Sequence, residues 1–122
     1  DALSRYELLY QDALDFINKD LTVAKIYEYV TTKQMNDLDA TELLTYFIEN
    51  SDDADTRSIS IQAFKVLGLK NDKVLSTLEN CIFSEENLFV KKMALEVIQY
   101  LFPKKSKDLI RWVNTHNKKL KN

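Results

Sequence analysis

Apolar residues recur along the chain at steps of three and four, the spacing that places them on one face of an α-helix. Leu9, Ala13 and Ile17 follow this rule in the first such segment, and polar loops at residues 50–53 and 84–87 separate later ones. The pattern predicts seven helices. They cover residues 4–18, 22–33, a third from after Asp39 through Ile48, 55–67, a fifth from Asp72 through Ile82, 88–102 and 106–117.

The same pattern repeats at a spacing of 34 residues. Four positions of the repeat hold apolar or small residues in every copy, apart from His116 at the end of the second set. A fixed period of this length is typical of stacked-repeat proteins, so we expect these residues to form the core between helices. The sets are Tyr10, Leu44, Leu78 and Trp112; Leu14, Ile48, Ile82 and His116; Ile26, Ser60 and Ala94; and Val30, Phe64 and Ile98.

Glycine and proline are almost absent, with one of each in 122 residues. Sheets joined by tight hairpins need Gly-containing turns, but Gly68 lies between two leucines, where we expect it to end a helix in the left-handed conformation. Pro103 likewise stops a helix. The composition therefore predicts an all-α chain.

Paired in order, the predicted helices form three two-helix units and one helix left over. The units cover residues 1–34, 35–68 and 69–103, and the half unit covers 104–117. A single helical hairpin cannot bury its apolar face alone, and about three stacked repeats are needed for stability. We therefore predict one domain over residues 1–122, a right-handed α-solenoid of about three and a half hairpins.

The second helix of two units follows a loop acid and contains a basic and a small residue at fixed places. The two sets are Asp52, Thr56, Arg57 and Ser60, and Glu86, Val90, Lys91 and Ala94. This arrangement resembles the HEAT repeat, and most closely the short HEAT-like repeats of the phycobilisome-lyase type. The first unit departs from it, because Val23 and Ile26 replace the basic and small residues. We expect the small residue to allow close helix approach and the basic residue to meet the loop acid of its own or the next repeat.

No group of residues in the sequence is suited to catalysis or metal binding. Cys81 is the single cysteine and follows Phe47 at the repeat spacing, so we expect a buried thiol. His116 is the single histidine, and metal sites and nucleophile–base pairs need several converging groups. The acid clusters lie at helix starts, where they favour the helix dipole. We expect no enzymatic activity, no metal and no cofactor.

Charge is divided unevenly along the chain. Residues 1–90 carry a net charge of −9 and residues 91–122 carry +7, within an overall charge of −2. Three interpretations of the basic end stay open: a solvated helix and tail, a nucleic-acid-binding patch, or contact with the acidic part of another repeat or another copy. Among the basic residues from Lys104 onward the aromatic residue is Trp112, and its set assigns it to the core. The candidate patch comprises Lys104, Lys105, Lys107, Arg111, Lys118 and Lys119.

The second helix of each unit has a further apolar residue directly after the position held by Ile26, Ser60 or Ala94. These residues are Tyr27, Ile61 and Leu95. Such a stripe lies either in the core between repeats or along a binding groove. With the residues that flank it, the stripe gives the candidate binding surface: Arg57, Ile61, Lys65, Lys91, Lys92, Leu95 and Gln99.

These observations predict a non-enzymatic protein-interaction scaffold, with a nucleic-acid-binding helical module as the alternative. The family resemblance also suggests a bilin lyase, but no residue here supplies its chemistry. No run of about 18 apolar residues occurs, and no signal-peptide pattern opens the sequence. We therefore expect a cytoplasmic protein with another protein as partner, no membrane contact, and self-association through the oppositely charged ends.

Overall fold

The computed structural model describes residues 23–121, with side chains through residue 116. This part of the chain contains six α-helices and no strand, which confirms the all-α prediction. The helix predicted for residues 4–18 lies outside it. The helices are α1 Val23–Thr31, α2 Asp37–Asn50, α3 Ala54–Val66, α4 Asp72–Ser84, α5 Leu88–Leu101 and α6 Lys107–Lys121.

Asparagine or aspartate side chains start the four central helices. Asn36, Asp53, Asn71 and Asn87 each accept a hydrogen bond from a backbone N–H of the first turn, which otherwise has no partner. Asn36 accepts from the backbone N–H of Asp39 at 2.8 Å. For this reason α2 begins before Asp39 and not after it as predicted.

Gly68 ends α3 as the sequence predicts, with a φ of 66° in the left-handed region. The backbone N–H of Leu69 donates to the carbonyl of Phe64 at 2.9 Å, and that of Gly68 donates to Lys65 at 3.1 Å. Leu69 is buried beneath this turn. At the end of α1, Lys33 adopts a similar φ of 62°.

The helix contacts connect neighbours along the chain and also helices two apart. α3 contacts both α1 and α5, and α2 contacts α4. Consecutive helices also pack together, α2 on α1 and α3, and α4 on α5. Among the described helices α2 and α3 each contact three others.

Most of the repeated positions that the structure describes are buried in the core, as predicted. Trp112 and His116 are exceptions: both are exposed, whereas Leu78, one repeat before Trp112, is buried. In the described chain no later helix covers α6. Trp112 therefore stays at the surface, although it occupies the repeat position that Leu78 holds in the interior of α4. Val30 is partly buried. The buried members of the sets are Leu44, Leu78, Ile48, Ile82, Ile26, Ser60, Ala94, Phe64 and Ile98.

Among the described helices, none combines the length and the apolar character needed to cross a membrane.

Candidate interaction surfaces

A charged link joins α3 to the loop that precedes α5. Arg57 Nε donates to Glu85 Oε1 at 2.8 Å, and Arg57 Nη1 donates to the carbonyl oxygen of Ser51 at 2.9 Å. The Arg57 and Glu85 side chains are only 17% and 12% exposed. The basic residue of the second helix thus meets a loop acid of the following unit, as expected, although the acid is Glu85 and not Glu86.

Burial by itself would raise the pKa of Glu85. The opposing contributions are the hydrogen bond and charge of Arg57 and the backbone N–H of Asn87, which donates to Glu85 Oε2 at 3.2 Å. They outweigh burial and lower the pKa below its ordinary value. Glu85 is therefore ionised at neutral pH.

An open groove of about 470 Å³ lies beside this link. Its two most buried charged groups, Arg57 and Glu85, bind each other. Cys81 also lines the groove, and burial, followed by the nearby carboxylates of Glu85 and Glu49, raises the pKa of its thiol to about 11. The thiol is protonated at neutral pH and is a weak nucleophile. The groove is lined by Ile48, Glu49, Ser51, Arg57, Thr77, Asn80, Cys81, Ser84 and Glu85.

The part of the predicted binding surface on α3 is covered by neighbouring chain. Ile61 is fully buried, so its assignment to a binding surface is wrong and it belongs to the core. Lys65 Nζ lies 3.8 Å from Glu96 Oε1 and 4.7 Å from the centre of the Tyr100 ring, both on α5. Arg57 is held by Glu85. Arg57 and Lys65 thus join α3 to the following unit.

The residues of the predicted binding surface that lie on α5 are more exposed to solvent. Lys92 and Gln99 are exposed, and Lys91 and Leu95 are partly buried. They lie 34 residues after α3 positions, and Lys91, Leu95 and Gln99 match Arg57, Ile61 and Lys65 in that order. The difference in exposure arises because α5 covers α3, whereas no described helix covers the same face of α5.

A different face of α3 and α5, absent from the sequence prediction, displays large apolar side chains. Ile59 and Val66 on α3 and Phe89 and Tyr100 on α5 are 46–63% exposed. At the repeat spacing, Val66 matches Tyr100, and Ile59 matches the partly buried Met93. We call Ile59, Val66, Phe89, Met93 and Tyr100 the outer apolar face. A signal was present in the sequence, because these residues fall outside all the core sets yet share one helical face.

The described basic residues of the C-terminal patch are at the surface. Lys104, Lys105 and Lys107 are exposed, and Arg111 forms only a highly exposed 3.8 Å pair with Asp108. Exposed pairs of this kind contribute little to stability. Lys118 and Lys119 fall within α6, but their side chains lie outside the described ones.

Trp112 stands beside this basic surface at 46% exposure, which makes the core assignment wrong. Its indole ring lies 3.7 Å from the His116 ring, and 5.2 Å from the Phe83 ring in an edge-to-face arrangement, measured between ring centres. The patch therefore includes an exposed aromatic surface.

No group of three or more His, Cys, Asp or Glu residues suited to a metal ion occurs in the described chain. Comparison with protein-family models, with curated proteins and with solved structures gave no match to this sequence.

Proposed function

We propose that this chain is a protein-interaction scaffold that binds a partner through the outer apolar face. The observation that supports it is the exposure of Ile59, Val66, Phe89 and Tyr100 on adjacent helices. Contiguous apolar patches on a protein surface mark interaction sites. Met93 adds an adaptable side chain.

The packing order also supports the finer architecture that we propose, a right-handed α-solenoid of HEAT-like hairpins. A central helix with one neighbour on each side is what a row of stacked hairpins requires. In this proposal the helix predicted for residues 4–18 is the seventh, and the protein is cytoplasmic and non-enzymatic.

The partner that suits this face is a protein segment with apolar anchors at helical spacing. The exposed apolar residues lie on two helices in contact, α3 and α5. An amphipathic helix binds an apolar surface of this kind through residues three, four and seven positions apart. Lys92 is exposed on the same helix as Phe89 and Tyr100, so a positive charge is available for the partner's polar flanks.

A photo-crosslinking experiment tests the proposal. A crosslinking amino acid placed at Val66 should capture the partner in source-cell extract, whereas the same probe at the exposed Leu38 on α2 should not. The V66S/F89S variant should lose at least about tenfold in partner affinity with little change in thermal stability. Unaltered capture by this variant, or equal crosslinking from position 38, would remove the proposal.

A second function, nucleic-acid binding, is favoured by the exposure of Trp112 beside Arg111 and the three lysines. Aromatic rings stack on bases, and clustered lysines release counterions from phosphates. Under this proposal the K104E/K105E/K107E variant should lose duplex binding, and the affinity of the wild type should fall steeply with salt. Absence of binding to single- and double-stranded probes at low salt would exclude it.

A further inference from the structure

One face of α5 holds the residues that lie 34 positions after Arg57, Ile61 and Lys65. No described helix covers this face. We call Lys91, Leu95 and Gln99 the α5 end face. On α3, Arg57 binds Glu85 and Lys65 contacts Glu96 and Tyr100, all in the next unit, and Ile61 is buried.

Lys91 lacks the carboxylate that its counterpart has. Its side chain makes neither an ion pair nor a hydrogen bond within the described residues, although it lies where Arg57 binds Glu85 one unit earlier. Lys92 is exposed beside it. The α5 end face therefore combines a partly exposed leucine with the cation of Lys91, and Lys92 adds a second cation beside it. A carboxylate-bearing helical surface would complement it.

The same chain supplies such a surface. Residues 34–56 contain seven carboxylates and no Lys, Arg or His. Glu42 and Glu49 are both exposed and lie seven residues apart on one face of α2, and we call them the α2 acidic surface. Partial burial, followed by the charge of Glu42, raises the pKa of the neighbouring Asp39.

We infer that this protein self-associates head to tail, with the α5 end face of one copy on the α2 acidic surface of another. A two-fold arrangement of the α5 end face on itself would place Lys91 and Lys92 against their own copies, which like-charge repulsion disfavours. Head-to-tail contacts do not close after two copies, so the average mass keeps rising with protein concentration unless a ring forms.

Sedimentation equilibrium of the full chain over a range of concentrations tests this inference. The dissociation constant should rise at least about tenfold between about 0.05 M and 0.5 M salt, because exposed charges are screened. The K91E/K92E variant should remain a monomer at concentrations where the wild type associates. The K70E/K73E variant changes the charge equally at two exposed lysines at the start of α4, and should associate as the wild type does.

A charge swap identifies the partner surface. The E42K/E49K variant alone should also be a monomer, and mixing it with K91E/K92E should restore association, since each variant then offers a surface complementary to the other. A monomeric wild type at low salt would overturn the inference. So would equal loss in K70E/K73E, failure of the mixture to restore association, or association that nuclease treatment abolishes, which would assign the basic surface to nucleic acid.

Discussion

Arg57 and Glu85 form an ion pair across the boundary between two helical hairpins, with Nε and Oε1 2.8 Å apart. Of the ion pairs within the described residues, it is the one in which both side chains are largely buried. The guanidinium also binds the carbonyl of Ser51, at the end of α2. One side chain thus joins the loop before α3 to the loop before α5.

Replacing Arg57 with methionine should lower the free energy of unfolding by about 1–3 kcal/mol. This range lies between exposed and fully buried pairs, since removing one partner leaves the other charge partly buried and unpaired. Urea denaturation measures it. Lys91→Met is the matched control at the same repeat position, and should change stability by less than about 0.5 kcal/mol. An equal loss of stability in the two variants would show that the Arg57–Glu85 ion pair does not stabilise the fold.

Glu85 also predicts a pH dependence. Its pKa is lowered in the folded chain, so its contribution to stability is fully present above its ordinary value of 4.5 and is lost as pH falls through the folded value. The free energy of unfolding should therefore fall more steeply in the wild type than in Glu85→Gln as pH decreases below about 5. Parallel pH profiles for the two proteins would contradict the assigned shift.

Phe64 and Ile98 lie at the same repeat position in α3 and α5, and both are fully buried. Truncation to alanine should cost about 3–5 kcal/mol for Phe64 and 2–5 kcal/mol for Ile98, because each leaves a cavity. Val66→Ala, on the outer apolar face, should cost less than about 0.5 kcal/mol. Thermal and urea unfolding compare the three variants, and a large loss for Val66 would mean that this face is interior.

The core was predictable because the repeat spacing acts as an internal alignment. Leu44 and Leu78, or Ser60 and Ala94, occupy equivalent environments, and each set identified interior positions without a structure. The same reasoning failed at Trp112, since equivalence ends where no later helix provides cover.

The candidate surface was predicted less well than the core. Ile61 and Lys65 lie four residues apart on one face of α3, and spacing alone cannot show whether that face is open or covered by the next helix. Two observations settle it: Ile61 is buried, and Lys65 contacts Glu96. The outer apolar face was not predicted, because exposed Ile59 fits the three- and four-residue spacing of apolar residues just as a buried residue would. The spacing does not distinguish the two.

Gly68 and Lys33 both follow a helix and adopt a positive φ. We expect substitutions at these two positions to have opposite effects on stability. At Gly68 an added Cβ would meet no atom within 4 Å, so the cost of Gly68→Ala comes from backbone conformation alone, about 1 kcal/mol. Lys33 already bears that cost with its φ of 62°, and Lys33→Gly should stabilise the protein by a similar amount. Chemical denaturation reads both changes. Destabilisation by Lys33→Gly would show that its side chain has an additional role.

The central claim is that hairpins stack in series, with α3 between α1 and α5. Methyl NOE measurements on isotopically labelled protein test it most directly. The account predicts NOEs from α3 methyl groups to both α1 and α5, and none between Ile26 on α1 and Ile98 on α5. NOEs joining Ile26 to Ile98 would indicate helices wrapped around one common axis and would contradict the account.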